Sequence, residues 1–336
     1  MRAVAYRRSL PVTDSKALED VDLPRPVPSG RDLLVEIRAV SVNPVDTKIR
    51  HRVDPAGEPK VLGWDAAGVV VATGPDVTLF KPGDAVFHAG DLSRPGTNAQ
   101  FHLVDEHIVG PKPASLDFAA AAALPLTAIT AWELLFDRLE IKRGAGADSR
   151  ILLIVGGAGG VGSIAIQLAR QLTGLTVIAT ASRPETKQWC ADLGAHHVLD
   201  HSRPLAPQVA ALGLGAPQLV VSLTATDQHQ ADIADLIAPQ GRFGLIDDPA
   251  AFNLGLFKRK SVSVHWEFMF TRSLFATSDV IAQHHLLAEV SRLVDQGVLR
   301  TTLSETMGAI NAANLIKAHA LIESGKAKGK VVLEGF

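Results

Sequence analysis

The run ILLIV (151–155), followed at once by GGAGGVG (156–162) and then by a long helical pattern, limits this chain to few folds. Five consecutive apolar residues ending on a glycine cluster read as a strand buried on both faces. Val161, Ile164, Ala165, Leu168 and Leu172 then recur at helical spacing, which gives the next element one apolar stripe. Strand, tight turn and helix in that order open a βαβ unit. The turn carries the pattern G-x-G-x-x-G as Gly157, Gly159 and Gly162. The first glycine is expected to permit the turn and the second to let a pyrophosphate approach the backbone. The third allows close helix–strand packing. With Gly160 and Val161 at the positive end of the helix, these residues predict a dinucleotide-binding turn. A glycine-rich turn without a ligand is the bland alternative.

The alternation continues. LTVIATA (175–181), HVLD (197–200), PQLVVSL (217–223) and GRFGLI (241–246) read as strands. Helices are expected over PETKQWCADLG (184–194) and around 205–212 and 228–238. The fold class is therefore α/β, with a doubly wound parallel Rossmann sheet. The first 110 residues differ: LLVEIRAVSV (33–42), AAGVVVATG (66–74) and DAVFHAG (84–90) are short strands punctuated by Gly and Pro. KPGD (81–84) is a type II turn signature, and the whole reads as a β-rich barrel-like or sandwich-like domain. Helices near 278–296 and 311–323 and the strand KGKVVLEG (328–335) leave the alternating rhythm and are expected to return to the first domain. The expected layout is 1–125, 126–272 for the dinucleotide domain, and 273–336.

The end of the second strand bears on which dinucleotide binds. An NAD site places Asp or Glu there for the ribose 2′-hydroxyl, whereas a 2′-phosphate needs cations and hydroxyls. Here the strand ends Thr180-Ala181-Ser182-Arg183, with Lys187 one helical turn on. These residues favour NADPH, and Glu185 is accounted for by the helix dipole. His201 ends the next strand, where it would flank the adenosine phosphate or stand as an ordinary surface histidine. Leu223, Thr224, Leu245 and Ile246 end later strands on the cofactor side, where backbone groups would bond the carboxamide.

Composition excludes several classes. The chain has 336 residues, enough for two domains, with 47% hydrophobic and 20% charged residues, which rules out disorder. Lys and Arg total 33 against 35 Asp and Glu, so a nucleic acid is not an expected partner. The one cysteine, Cys190, excludes an intrachain disulfide and a Cys-rich zinc site, and is expected to pack beside Trp189. No signal peptide is evident. FAAAAALPL (118–126) and ILLIV fall short of the roughly 18 residues that cross a bilayer. The expected setting is cytoplasmic, away from membranes.

With SVNPVDTKIR (41–50), LGWDAAGVVVATG (62–74), FKPGDAV (80–86), LPLTAITAWELL (124–135), GGAGGVG and GKVVLEGF (329–336) in view, the chain resembles the medium-chain dehydrogenase/reductase superfamily. Within it the resemblance is to the zinc-lacking quinone oxidoreductase branch and the zinc-type alcohol dehydrogenase-like set. It implies a GroES-like barrel for the first domain. The alcohol dehydrogenases of this superfamily hold a catalytic zinc with a Cys, a His in a Gly-His-Glu segment, and a later Cys or acid. Asn43 replaces the first ligand and Trp64 the histidine, and no His or Cys occurs between 113 and 150. No metal is therefore expected, and His88, His102 and His107 are better read as surface or packed histidines.

Asn43-Pro44-Val45-Asp46 makes a well-formed helix start by itself. The resemblance adds that this start lies under the nicotinamide, with Asn43, Asp46 and Lys48 as candidate catalytic residues. Lys48, tuned by Asp46, or a bound water would supply the proton. Thr127 and Thr130 match positions near the nicotinamide ring. Trp64, Phe87, Phe268 and Phe270 are candidates for an apolar substrate wall or for core. The expected activity is NADPH-dependent hydride transfer to a quinone or an α,β-unsaturated carbonyl compound. A zinc alcohol dehydrogenase with unexpected ligands and a non-catalytic NADPH sensor are the alternatives. The β-branched run SVSVH (261–265) suggests an edge strand and a homodimer.

Overall fold

The structure, a computed structural model, describes residues 1–144, 146 and 148–336. It comprises two compact units, one of Met1–Ile129 with Phe270–Phe336 and one of Thr130–Met269. The first unit is thus discontinuous, with the second inserted into it.

The first stretch carries β1 (Arg2–Tyr6), β2 (Glu19–Asp22), β3 (Asp32–Val42), β4 (Lys60–Val61), β5 (Ala66–Thr73), β6 (Ala85–His88), β7 (Phe101–Asp105) and β8 (Val109–Pro111). Strand β3 is the spine: it pairs antiparallel with both β5 and β7. It is buried along most of its length, with Asp32 and Glu36 half-buried and Arg38 exposed, so the alternation its sequence suggested is confined to the stretch around Glu36 and Arg38. The turn before β6 has Gly83 at φ +99° and Asp84 N–H donating to Lys81 O at 3.1 Å. That is the type II geometry expected of Pro-Gly, since the third turn position needs a left-handed residue. Helix α1 (Pro44–Arg52) leaves the end of β3, and α2 (Phe118–Ala122) and α3 (Pro125–Trp132) follow β8. The helical stretch Phe118–Arg138 is 21 residues long and apolar enough to cross a membrane, longer than its sequence suggested. Its most apolar 18 residues are almost all buried inside the protein, as those of a core helix are, so it implies no span.

The second unit holds β9 (Ile151–Val155), β10 (Thr176–Thr180), β11 (His197–Leu199), β12 (Leu219–Ser222), β13 (Arg242–Leu245) and β14 (Ser263–Trp266). They form one parallel sheet in the order β11-β10-β9-β12-β13-β14. Helices α4 (Gly160–Leu172), α5 (Pro184–Asp192), α6 (Leu205–Ala211) and α7 (Thr226–Leu236) connect them. This order reverses between β9 and β12, the switch point of a doubly wound sheet. Leu153, Val155, Ile178, Val220, Phe243 and Leu245 fill the core on one face, as the unbroken apolar strands require.

The chain then returns through α8 (Thr271–Leu274), α9 (Ala282–Asp295), β15 (Leu303–Thr306), α10 (Ala312–Glu323) and β16 (Lys330–Glu334). Strand β16 pairs antiparallel with β3, Val331 opposite Val42. That register carries the last strand to the end of β3, where α1 begins.

Candidate functional site

The glycine turn of the second unit divides its labour differently from the expectation. The left-handed residue is Gly156, at φ +85°, so the tight turn is made one residue before the motif. A Cβ on Gly157 would lie 2.8 Å from the Ala179 Cβ and 3.2 Å from the Cys190 Sγ. Gly157 is therefore fixed by packing onto β10 and α5. A Cβ on Gly162 would meet Gly156 O at 2.4 Å, the close helix–strand approach expected of it. A Cβ on Gly159 meets only Gly156 O, at 3.7 Å. This glycine caps α4 and leaves room beside Gly160 and Val161, at the helix end that favours an anion. The turn fits a pyrophosphate.

Behind the turn, Gly156 N–H donates to Thr180 Oγ1 at 3.0 Å, and Thr180 Oγ1 is bonded to His201 Nδ1 at 2.9 Å. His201 is thus tied to the turn itself. Burial, then the neighbouring His229, holds its imidazole below its ordinary value. The other predicted phosphate contacts carry counter-ions. Arg183 pairs with Glu185 at 3.2 Å, and Lys187 with Asp200 at 2.9 Å. Hydrogen bonds from Ser202 and Lys187 hold the Asp200 carboxyl below the usual range. The N-cap of α5 is Arg183, and Thr186 Oγ1 accepts from its N–H at 3.2 Å.

At the carboxyl edge, Leu223 N–H donates to Val155 O at 3.1 Å and Ile246 N–H to Ser222 O at 3.4 Å. The Thr224 methyl lies 2.9 Å from where a Gly156 Cβ would sit. Leu245 is wholly buried, so what it offers a ligand is backbone. Ala225 stands left-handed at φ 49°, a strained conformation for a residue with a Cβ. Asp247 stabilises it, accepting from Thr226 N–H at 2.9 Å and from the Thr226 hydroxyl at 2.5 Å.

The first unit gathers its own buried polar cluster where β3, α1 and β16 meet. Asp46 accepts from the Asn43 N–H at 2.8 Å, closing the first turn of α1. The Asn43 amide points away, donating to Asp65 Oδ2 at 3.1 Å and to Ser41 O at 3.3 Å. Lys330 donates to the Asn43 carbonyl oxygen and to Val42 O, and stands 3.0 Å from Asp65 Oδ2. Leu126 N–H donates to the other Asp65 oxygen at 3.0 Å. Asn43, Asp46, Asp65 and Lys330 are all 3% exposed or less. Burial pushes the Asp46 carboxyl up to about 7 against the pull of the Asn43 N–H and Lys330. Burial also raises Asp65, opposed by Lys330.

The buried cation that meets Asn43 is Lys330, from the far end of the chain, which sequence reasoning passed over, while Lys48 stands half-buried on α1. Three of the four substrate-wall candidates are corrected. Trp64, Phe87 and Phe270 are 1%, 0% and 3% exposed, and Trp64 donates its indole N–H to Asp91 O at 3.2 Å. Their rings fill interior volume, as large apolar side chains do. Phe268 is 47% exposed and still presents surface. Thr127 donates its hydroxyl to Leu124 O, the residue just before α3, at 3.1 Å and is buried, as is Thr130. Glu133 and Glu267, both buried, are acids that sequence reasoning passed over. Only the placement of charged residues inside apolar runs signalled them.

A zinc ion does not fit these residues. The oxygens of Asn43 and Asp65 already face an ammonium, which would repel a second cation, and Trp64 offers no ligand. His88 and His102 are buried, stacked and bonded to each other at 3.0 Å, and His102 bonds Pro95 O at 3.1 Å. Among the described residues, no three His, Cys, Asp or Glu side chains group as a metal ion requires.

Comparison with known proteins agrees with this architecture. Residues 29–114 match the alcohol dehydrogenase GroES-like domain, and residues 193–333 match a zinc-binding dehydrogenase family. A zinc-type alcohol dehydrogenase-like protein of Staphylococcus aureus is 38% identical over 338 residues, covering 99% of each chain. The crystal structure of a Rhizobium etli protein assigned to the zinc-dependent alcohol dehydrogenases is 64% identical. It has a TM-score of 0.97 and covers 100% of this chain and 98% of that one. The quinone oxidoreductase of Coxiella burnetii is 27% identical with a TM-score of 0.82, covering 100% and 99%. A mycobacterial protein solved with NADPH is 27% identical with a TM-score of 0.83, covering 99% of each chain. The chain belongs to the medium-chain dehydrogenase/reductase superfamily and is an NAD(P)-dependent oxidoreductase of that type.

Proposed function

We propose that the chain is an NADPH-dependent reductase of quinones or α,β-unsaturated carbonyl compounds that works without zinc. The observation that carries this reading is the Lys330 ammonium seated on Asn43 and Asp65, at the start of α1 where the superfamily's metal enzymes place a ligand. A simple ketone oxygen needs a Lewis acid or a strong donor as negative charge develops on it. A conjugated acceptor spreads that charge over its own π system, so ordinary hydrogen-bond donors suffice. The similarity to a quinone oxidoreductase supports the acceptor class, and the similarity to a protein solved with NADPH supports the cofactor.

When bound, NADPH supplies a hydride from its nicotinamide ring to the electron-poor carbon or quinone oxygen. Gly157, Gly159, Gly160, Val161 and Gly162 would hold the pyrophosphate against α4. Ser182, Arg183, Lys187 and His201 would take the 2′-phosphate, with the two cations exchanging Glu185 and Asp200 for it. Backbone groups of Leu223, Thr224, Leu245 and Ile246 would bond the carboxamide, with Thr127 and Thr130 near the ring. After the two electrons arrive, one proton must reach the enolate or hydroquinone oxygen, and Lys48 or a bound water supplies it. Phe268 offers apolar surface to the substrate.

The test is NADPH oxidation with 1,4-benzoquinone, 9,10-phenanthrenequinone and a simple enone. Turnover with at least one is expected, together with weaker NADPH binding in Arg183→Ala and unchanged NADH binding. No turnover with any acceptor would sink the activity. Equal affinity for NADH and NADPH, unaltered in Arg183→Ala, would overturn the cofactor assignment.

A further inference from the structure

Strand β14 ends on Trp266, and the next residue is a buried acid. Glu267 is 3% exposed, and its N–H donates to Leu245 O at 3.0 Å. It therefore continues the pairing of β13 with β14 one step past the strand, at the carboxyl edge where dinucleotides cross such sheets. Glu133, wholly buried, is the nearest like charge to the Glu267 carboxyl. Two carboxyl groups buried side by side do not both ionise readily, so a proton is favoured on one of them.

One guanidinium serves both acids. Arg138 Nε donates to Glu267 Oε2 at 2.8 Å, and its Nη2 stands 3.8 Å from Glu133 Oε2. The local backbone makes this possible. Residues Glu133–Arg138 form a π-helical turn, in which Leu139 N–H reaches Leu134 O at 3.0 Å. Widening the turn to five residues brings positions 133 and 138 onto one face, and π-turns inside helices recur at functional sites. The nearby charges are otherwise committed. Arg242 pairs with Glu140 at 2.8 Å and donates to Leu139 O at 3.1 Å. His265 is held below its ordinary value first by burial, then by Arg242. Trp266 and Phe268, on either side of Glu267, are 53% and 47% exposed.

We propose that the Glu133–Glu267–Arg138 cluster is a positioning element. One proton shared by the two acids holds the Trp266–Phe268 segment, and with it the backbone edge on which the nicotinamide end of the dinucleotide rests. The inference rests on the cofactor reading above. Losing the proton leaves two buried carboxylates on one guanidinium, and their repulsion is relieved by moving the segment that carries Glu267. Burial, then the charge of Glu133, pushes the Glu267 carboxyl up to about 8. The protonated arrangement therefore prevails at neutral pH and is lost above that value.

The test is the dissociation constant of NADPH from about pH 7 to about pH 9.5, with Trp266 emission followed in parallel without cofactor. Trp266→Phe identifies the Trp266 signal among the four tryptophans. In the wild type, binding should weaken about tenfold one pH unit above the transition, as the competent fraction falls. Glu267→Gln keeps a hydrogen-bond donor that does not titrate, and its profile should be flat. Glu133→Gln gives the same flat profile and serves if the first variant does not fold. Parallel pH profiles in wild type and both variants would overturn the proposal, as would Trp266 emission that stays constant over the range. Trp266 emission that titrates in a protein binding no NADPH at any pH would remove the cofactor reading and support the hold on the segment.

Discussion

A lysine ammonium keeps to water wherever it can, yet Lys330 is 3% exposed and bonded to Asn43, Val42 and Asp65. Removing one partner of such a pair leaves a buried charge alone. Lys330→Met is expected to cost about 3–5 kcal/mol, read from denaturant unfolding; a loss below about 1 kcal/mol would show that water reaches Asp65 after all. Pairing it with Asp65→Leu should restore much of that loss, because the buried charge is then gone as well. Asp46 adds a pH dependence. Burial pushes its carboxyl up to about 7 from an ordinary 3.8. Its contribution to stability is therefore fully present below about pH 4 and is lost as pH rises through about 7. Asp46→Asn should flatten that part of the stability curve, and an unchanged curve would place the titration elsewhere. The start of α1 was legible in the sequence because Asn43, Pro44 and Asp46 act within one helical turn. Their partners were not. Asp65 lies 22 residues from Asn43 and Lys330 lies 287 away, and no local pattern specifies a contact made by pairing the last strand with β3.

Elements show the same division between local and distant causes. The turn from β9 into α4 was readable because strand, glycines and helix are contiguous. Yet the split between Gly156 and Gly157 depends on Ala179 and Cys190 across the sheet. Gly157→Ala and Gly162→Ala should lower the melting temperature, because each new Cβ falls within 3 Å of existing atoms. Gly159→Ala makes only an ordinary contact, with Gly156 O at 3.7 Å. It should leave the melting temperature nearly unchanged while weakening NADPH binding, and the reverse result would remove the turn's assignment to the pyrophosphate. Strand β14 is the other element with a consequence. It closes one end of the six-stranded order. Ser263 and Glu267 N–H groups point inward to Gly241 O and Leu245 O, so by alternation the Val264 and Trp266 N–H groups face the open edge. An edge of this kind invites pairing with a second copy. Sedimentation should find a dimer, and Val264→Pro, which deletes one outward donor, should shift it toward monomer. A wild-type monomer would contradict this.

At the scale of the whole molecule, the α/β class, the doubly wound sheet and the return of the last strand to the first domain could all be read from hydrophobic rhythm and punctuation. Periodicity reports on which face of an element is buried, and two-domain organisation follows when the period changes. What rhythm does not report is which interior positions hold charge. The Lys330 cluster in one unit and the Glu133–Glu267 pair in the other came only with the fold. The former also bears on the central claim, since a chain matching a zinc-binding dehydrogenase family carries an ammonium against Asn43. The most direct test is metal content and turnover measured on one preparation. After dialysis against a strong chelator, the protein should hold far less than one zinc per chain and keep full NADPH-dependent turnover of 9,10-phenanthrenequinone. Stoichiometric zinc, with activity lost to the chelator and restored by added zinc, would contradict the account.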